Sequence, residues 1–170
     1  MIFNEVLGLA KVPENMNIIA REAVRAVALN SDGQLVMIQS RMGDYSFPGG
    51  GIDDGESHLD ALKREALEEA GIIIKEDVKL LGVVEEQRKS LEVEDAYFAM
   101  KSTYYLCYVL GYTTPKLEEY EKEWGFTPVE INADEAYKKN LDLLQNHEQC
   151  PPWVKRDTLA LKWLLDEGSV

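Results

Sequence analysis

Cysteine is scarce in this chain, with two in 170 residues. Cys107 and Cys150 belong to no CxxC pair or Cys/His cluster, so neither a disulfide framework nor a structural zinc site is expected. Reduced thiols in a cytoplasmic protein fit better. Histidine is equally sparse, and His58 and His147 lack metal-ligand companions and read as surface residues. Positive charge is short as well: Lys and Arg number 18 against 31 Asp and Glu, for a formal net charge of -13. Such an excess repels a phosphate backbone at long range and argues against bulk nucleic acid as a partner. A small phosphorylated substrate bridged by cations remains compatible with it. Long apolar runs are missing too. The longest, Tyr104 to Tyr112, is about half of what a spanning helix needs, so no membrane anchor is expected. The opening MIFNEVLGLAKVPEN has no basic leader, and Glu5 interrupts its apolar residues, so it does not read as a secretory signal.

What is present is enough for a core. Hydrophobic residues make up 45% of the chain and aromatics 9%, and the length suits one compact domain over residues 1–170. Residues 1–20 read as an N-terminal extension and 151–167 as a C-terminal helix. Ala23 to Leu29 and Gln34 to Gln39 are strand-like runs joined by the turn Asn30-Ser31-Asp32-Gly33, a hairpin whose apolar content predicts burial on both faces. From Ser57 to Ala70 the period becomes helical. Leu59, Leu62, Ala66 and Ala70 form a stripe, Ser57 and Asp60 form a capping pair, and Gly71 is the stop. Strands are expected at Ile72 to Ile74, Val78 to Val84 and Thr103 to Leu110, and a short one at Trp124 to Thr127. Helices are expected from Ala133 to Leu144, capped by Asn132, and from Pro151-Pro152 to Asp166. This irregular interleaving predicts an α+β fold, a mixed sheet flanked by helices.

Chemistry concentrates in GGIDDGESHLDALKREALEEAGI. At 100° per residue Glu68 and Glu69 lie about -60° and +40° from Glu65, so three carboxylates crowd one edge of a helix. They repel one another unless hard divalent cations accept their oxygens, and magnesium, which favours carboxylates, water and phosphates, is the natural candidate. The glycines before the helix permit close backbone approach to the same ion. Arg64, four residues before Glu68, can fix a carboxylate by charge-assisted bonds, with Glu56 as a second partner. Carboxylate oxygens left free can accept a proton from acidified water, which leads to hydrolysis of a phosphoanhydride. Alone, KREALEEAG is an ordinary solvated helix; the upstream glycine and Glu56 at fixed distances make it more.

This segment resembles the Nudix hydrolase box, G-x5-E-x7-R-E-U-x-E-E-x-G-U, matching every fixed position from Gly50 to Ile72. At this chain's composition the seven fixed letters coincide by chance roughly 5 times in a million, so the match is specific. Ala66, where U is usually larger, bears on packing beneath the helix. The resemblance implies an α/β/α sandwich and magnesium- or manganese-dependent cleavage of a nucleoside diphosphate derivative, such as a nucleotide or sugar nucleotide. By position, Glu65, Glu68, Glu69 and the Gly50 carbonyl would bind metal, with Arg64 orienting the glutamates and Glu56 supporting it. Glu68 or Glu65 would be the base, or a glutamate outside the box, for which Glu118, Glu119 and Glu121 are candidates beside a solvated-loop reading. Arg41, Tyr45, Phe47 and Arg88 are candidates for substrate contact, though aromatics are more often core and lone arginines more often surface. Downstream signatures of the ADP-ribose, dinucleoside polyphosphate and NADH types are missing, which leaves the substrate open. A homodimer, and a catalytically silent nucleotide-binding module, are the remaining expectations.

Overall fold

The structure, a computed structural model, describes residues 3–8, 17–90, 93–147 and 149–168. In chain order its elements are β1 (Phe3–Gly8), β2 (Asn17–Leu29), β3 (Leu35–Gln39), β4 (Tyr45–Ser46), α1 (His58–Ala70), β5 (Ile72–Ile74), β6 (Lys79–Lys89), β7 (Ala96–Tyr112), α2 (Glu119–Glu123), β8 (Thr127–Ile131), α3 (Ala133–Asn146) and α4 (Pro152–Asp166). The two long strands set the frame: β2 and β7 pair in parallel from Asn17↔Ala96 to Leu29↔Tyr108. Beyond β7 lies antiparallel β6, and β1 closes that edge in parallel with β6. Beyond β2 lies antiparallel β3, which carries β4 on one side and β8 on the other, while β5 pairs with the end of β7.

The period of two along each strand divides the interior into two layers. On β2 and β3, Val24, Ala26, Ala28, Val36 and Ile38 meet the α1 stripe of Ala61, Leu62, Ala66 and Ala70. The intervening Val27, Leu35 and Met37 meet Ala160, Leu161 and Leu164 of α4 and Ala136 of α3. The sheet is therefore covered on both faces, the α/β/α arrangement expected, and the hairpin strand is buried on both sides as its composition required.

Three expectations need correction. β2 begins at Asn17 and β1 joins the sheet, so part of the supposed N-terminal extension is structural; residues 1–2 and 9–16 lie outside the described residues. The strand expected at Trp124 to Thr127 starts only at Thr127, because Trp124 caps α2 and Gly125 turns the chain at φ +66°. Pro128 lies inside β8, which among the described residues pairs with β3 alone, and an edge strand tolerates its missing N–H. The acidic stretch before Trp124 contains a short helix, α2.

Candidate active site

After β4 the chain runs on along β2, where the Ala26 and Val24 amides donate to the Pro48 and Gly50 carbonyls at 2.8 and 3.0 Å. Two glycines are demanded by space. At Gly49 (φ +147°) a β-carbon would collide with the Val24 carbonyl, and at Gly50 it would fall on the Glu65 carboxylate. α1 follows, with Ser57 accepting from the Asp60 amide at 3.2 Å and Gly71 closing it at φ +64°. Its apolar stripe faces the sheet, so its acidic edge is turned toward the glycine turn.

Arg64 organises that edge. Its Nε and Nη2 donate to the two Glu56 oxygens at 2.9 and 2.8 Å, and its Nη1 donates to Glu65 at 2.6 Å and to Glu68 at 3.5 Å. Nη2 also donates to the Gly51 carbonyl at 2.9 Å, tying helix to turn. The bond to Arg64 and one from the Asp53 amide hold the Glu56 carboxyl down to about 2. Glu69 accepts from the Gly49 amide at 2.8 Å. Burial raises the pKa of Glu65, and raises that of Glu69 well above the usual carboxylate range. Glu68 is the open member, its side chain 46% exposed against 12% for Glu65.

Among the described residues, no three His, Cys, Asp or Glu side chains converge tightly enough to enclose an ion in this arrangement. Glu65 is turned to Arg64 and Glu69 to the Gly49 amide. The donor set nevertheless fits a hard cation: all oxygens, on one helix edge, with a buried Glu69 carboxylate whose hydrogen bond is to a neutral amide. The Gly50 carbonyl accepts from the Val24 amide, and a carbonyl oxygen has a second lone pair with which it can bind an ion.

Beside this edge opens a cleft of about 580 Å³. Glu69, Gly49 and Gly50 line it, with Arg25 of β2, Glu86 of β6 and Arg156 of α4 among its most buried walls. Trp124, Phe126, Trp153, Phe98 and Tyr120 form a more exposed aromatic rim. Trp153 packs edge-on against Trp124 and Phe126, with ring centroids 5.1 and 5.9 Å apart, and its Nε1 donates to Asp44 at 2.8 Å.

The family model described as the NUDIX domain matches residues 20–147. The chain belongs to the Nudix family. Nudix hydrolase 13, mitochondrial, from Arabidopsis thaliana is 48% identical over 64 residues, which cover 36% of this chain and 31% of that protein. An RNA pyrophosphohydrolase from Aliivibrio fischeri is 48% identical over 63 residues, covering 36% of each. The matched stretch thus spans about a third of those relatives' length. A Nudix hydrolase from Nitrosomonas europaea superposes with a TM-score of 0.58 at 19% identity, over 88% of this chain and 90% of that one. MutT from Aliivibrio salmonicida and Vibrio cholerae gives 0.52 at 18%, over 88% and 99%. At such identities the likeness is one of fold.

The box residues Gly50, Glu56, Arg64, Glu65, Glu68 and Glu69 lie on the turn and helix of this Nudix fold: Arg64 bonds Glu56, Glu65 and Glu68, Glu69 takes the Gly49 amide, and the Gly50 carbonyl takes the Val24 amide. Ala66 is wholly buried beneath the helix. Of the acidic residues outside the box, Glu118 and Glu119 are exposed, whereas Glu121 is buried and close enough to raise the pKa of Glu69. The Lys116 and Thr113 amides donate to the Glu68 and Gly71 carbonyls at 2.8 and 2.7 Å, laying this segment across the end of α1. The Glu121 carboxylate accepts from the Glu118 amide at 2.6 Å and the Tyr120 hydroxyl at 3.1 Å.

Among the aromatic and arginine candidates, Phe47 and Arg88 line the cleft, Arg88 lying 4.5 Å over the Phe98 ring. Arg41 stacks 5.1 Å from the Trp124 ring and donates to the Glu123 carbonyl, supporting the rim. Tyr45 does not reach the cleft: it packs in the core, its hydroxyl accepting from Gln39 at 2.8 Å. His58 is only half-exposed and bonds to the Tyr105 hydroxyl at 2.9 Å. Arg25, Glu86 and Arg156 escape sequence reasoning, being spread over three elements. The signal available was a charge inside an apolar run, as Arg25 is in AVRAVAL, since buried charges need a reason.

Proposed function

We propose that this chain is a divalent-metal-dependent pyrophosphohydrolase that cleaves a phosphoanhydride bond in a nucleoside diphosphate derivative. The observation that carries this reading is one helix edge on which Arg64 orients Glu65 and Glu68 while the Gly49 amide holds Glu69 against the Gly49–Gly50 turn. Magnesium or manganese held by Glu65, Glu68, Glu69 and the Gly50 carbonyl would supply neutralisation of phosphate charge and a more acidic water. The chain's residues do the rest. Glu68, the open carboxylate, takes the proton of the attacking water, while Glu121 is placed to add charge beside Glu69. Water oxygen bonds to one phosphorus as the bridging P–O bond breaks, and both products leave carrying phosphate. The aromatic rim stacks on the base or sugar, and Arg88 neutralises phosphate at the mouth.

The complete carboxylate set lends no support to a silent binding module. Both cysteines are free thiols, which suits a reducing compartment such as the cytoplasm. No helix among the described residues is long and apolar enough to cross a membrane.

The test is product release from a panel of nucleoside triphosphates, sugar nucleotides and dinucleoside polyphosphates, with and without magnesium. Turnover of one class is expected, lost by about 100-fold or more in Glu69→Gln. Silence of the native chain across the panel would overturn the reading.

A further inference from the structure

Three cationic groups line the cleft, and one of them, Arg25, is buried without an ion pair among the described residues. Arg88 is on the more open side, over Phe98. Arg156 is buried but answered: its Nε and Nη2 donate to both oxygens of Asp157 at 2.9 and 3.0 Å, and its Nη1 reaches Glu86 at 3.4 Å. Among the described residues Arg25, 8% exposed, has only the Gly49 carbonyl, to which its Nη1 donates. Its Nε–H is buried without a hydrogen-bond partner, and among the described residues Arg25 joins no ion pair. Asp157 and Glu69 lie near enough to favour its charge, but neither accepts its Nε–H, and a buried N–H left without an acceptor is costly unless a ligand oxygen completes it. Arg156 is near enough for its charge to oppose that of Arg25, so the two guanidiniums stand together at one end of the cleft.

The position of that end limits what can fill it. Through Gly49, Arg25 is one peptide from Glu69, whose carboxylate takes the Gly49 amide while Arg25 takes the Gly49 carbonyl. Behind it stand Phe47, Tyr104 and Asp157, each fully buried and locked by the Tyr104 hydroxyl on Asp157 at 2.7 Å and the Phe47 amide on Asp157 at 3.3 Å. A substrate chain cannot continue past them, so the group that reaches Arg25 is an end group. A compact dianion with several acceptor oxygens matches a guanidinium fork; a phosphate esterified on both sides does not. Glu86 shares this floor, but its carboxylate is already directed at Arg156.

We infer that Arg25, backed by Arg156, seats an unsubstituted terminal phosphate. The chain then selects nucleotides that end in a free phosphate over those capped at both ends of the phosphate chain. This rests on the hydrolase reading above and narrows its substrate class.

The test is calorimetric titration of the folded full chain with inorganic pyrophosphate in magnesium buffer at fixed ionic strength, comparing native protein with Arg25→Lys and Arg25→Gln. Arg25→Lys, which keeps the charge and loses the fork, is expected to weaken binding about 10-fold, and Arg25→Gln to weaken it further. In turnover, Arg25→Lys raises KM for a nucleoside triphosphate by a similar factor while KM for ADP-ribose stays within about twofold. If the variants lose their fold, the native chain still decides the matter: its Arg25 Nε–H resonance, assigned through the backbone, shifts when pyrophosphate is added. Equal pyrophosphate affinity in native and Arg25→Lys protein, an unmoved Nε–H resonance, or a native preference for ADP-ribose would each overturn the inference. A native chain that binds pyrophosphate through Arg25 yet turns over no nucleotide would instead sink the hydrolase reading alone.

Discussion

At the scale of single residues, Arg64 holds the site together by spending its five donors on Glu56, Glu65, Glu68 and Gly51. Glu56 is its firmest partner and has the clearest pH signature. Its folded pKa is depressed to about 2, so its contribution to stability is full above the unfolded value of about 4.5 and is lost as pH falls from there toward 2. The melting temperature of the native chain should drop through that window. Glu56→Gln should melt lower at neutral pH and show a shallower acid limb, and parallel limbs would remove Glu56 from this role. The box residues were legible because they fall on consecutive turns of one helix, where spacing in sequence is spacing in space. Arg25, Glu86 and Arg156 were not, since only the strand order brings β2, β6 and α4 together.

At the scale of elements, α1 was the most readable because its ends announce themselves. Ser57 satisfies the Asp60 amide, Gly71 takes the left-handed turn, and the stripe between them repeats at three and four. Ser57→Ala should cost about 1 kcal/mol in urea unfolding, an N-cap's usual worth. A loss below about 0.3 kcal/mol would show that the helix start is held by tertiary packing alone. The β2–β3 hairpin and β5 were readable for the same reason, each being bounded by its own turn. β1 and α2 were not. β1 has an exposed pattern apart from Phe3 and is a strand only because β6 offers it an edge. α2 is a single acidic turn of helix, held by its Glu118–Glu121 capping box, which sequence alone cannot separate from a solvated loop.

At the scale of the whole molecule, the N-terminal strand is fastened by one aromatic. Phe3 is 3% exposed and packs against Tyr104 and Trp163, with ring centroids 5.5 and 4.6 Å apart. Phe3→Ala should destabilise the fold by about 3–5 kcal/mol, read from the denaturation midpoint. A change under about 1 kcal/mol would mean that β1 does not dock in solution. The parallel pairing of β2 with β7 joins residues about eighty positions apart, and a chain whose central ladder closes so large a loop folds slowly for its size. Emerging from the ribosome, the glutamates of α1 appear well before β7 and α4, so the acidic edge exists for seconds without the strand and helix that wall its cleft. The cleft is therefore walled last, when α4, the final helix among the described residues, packs against β4 and β6.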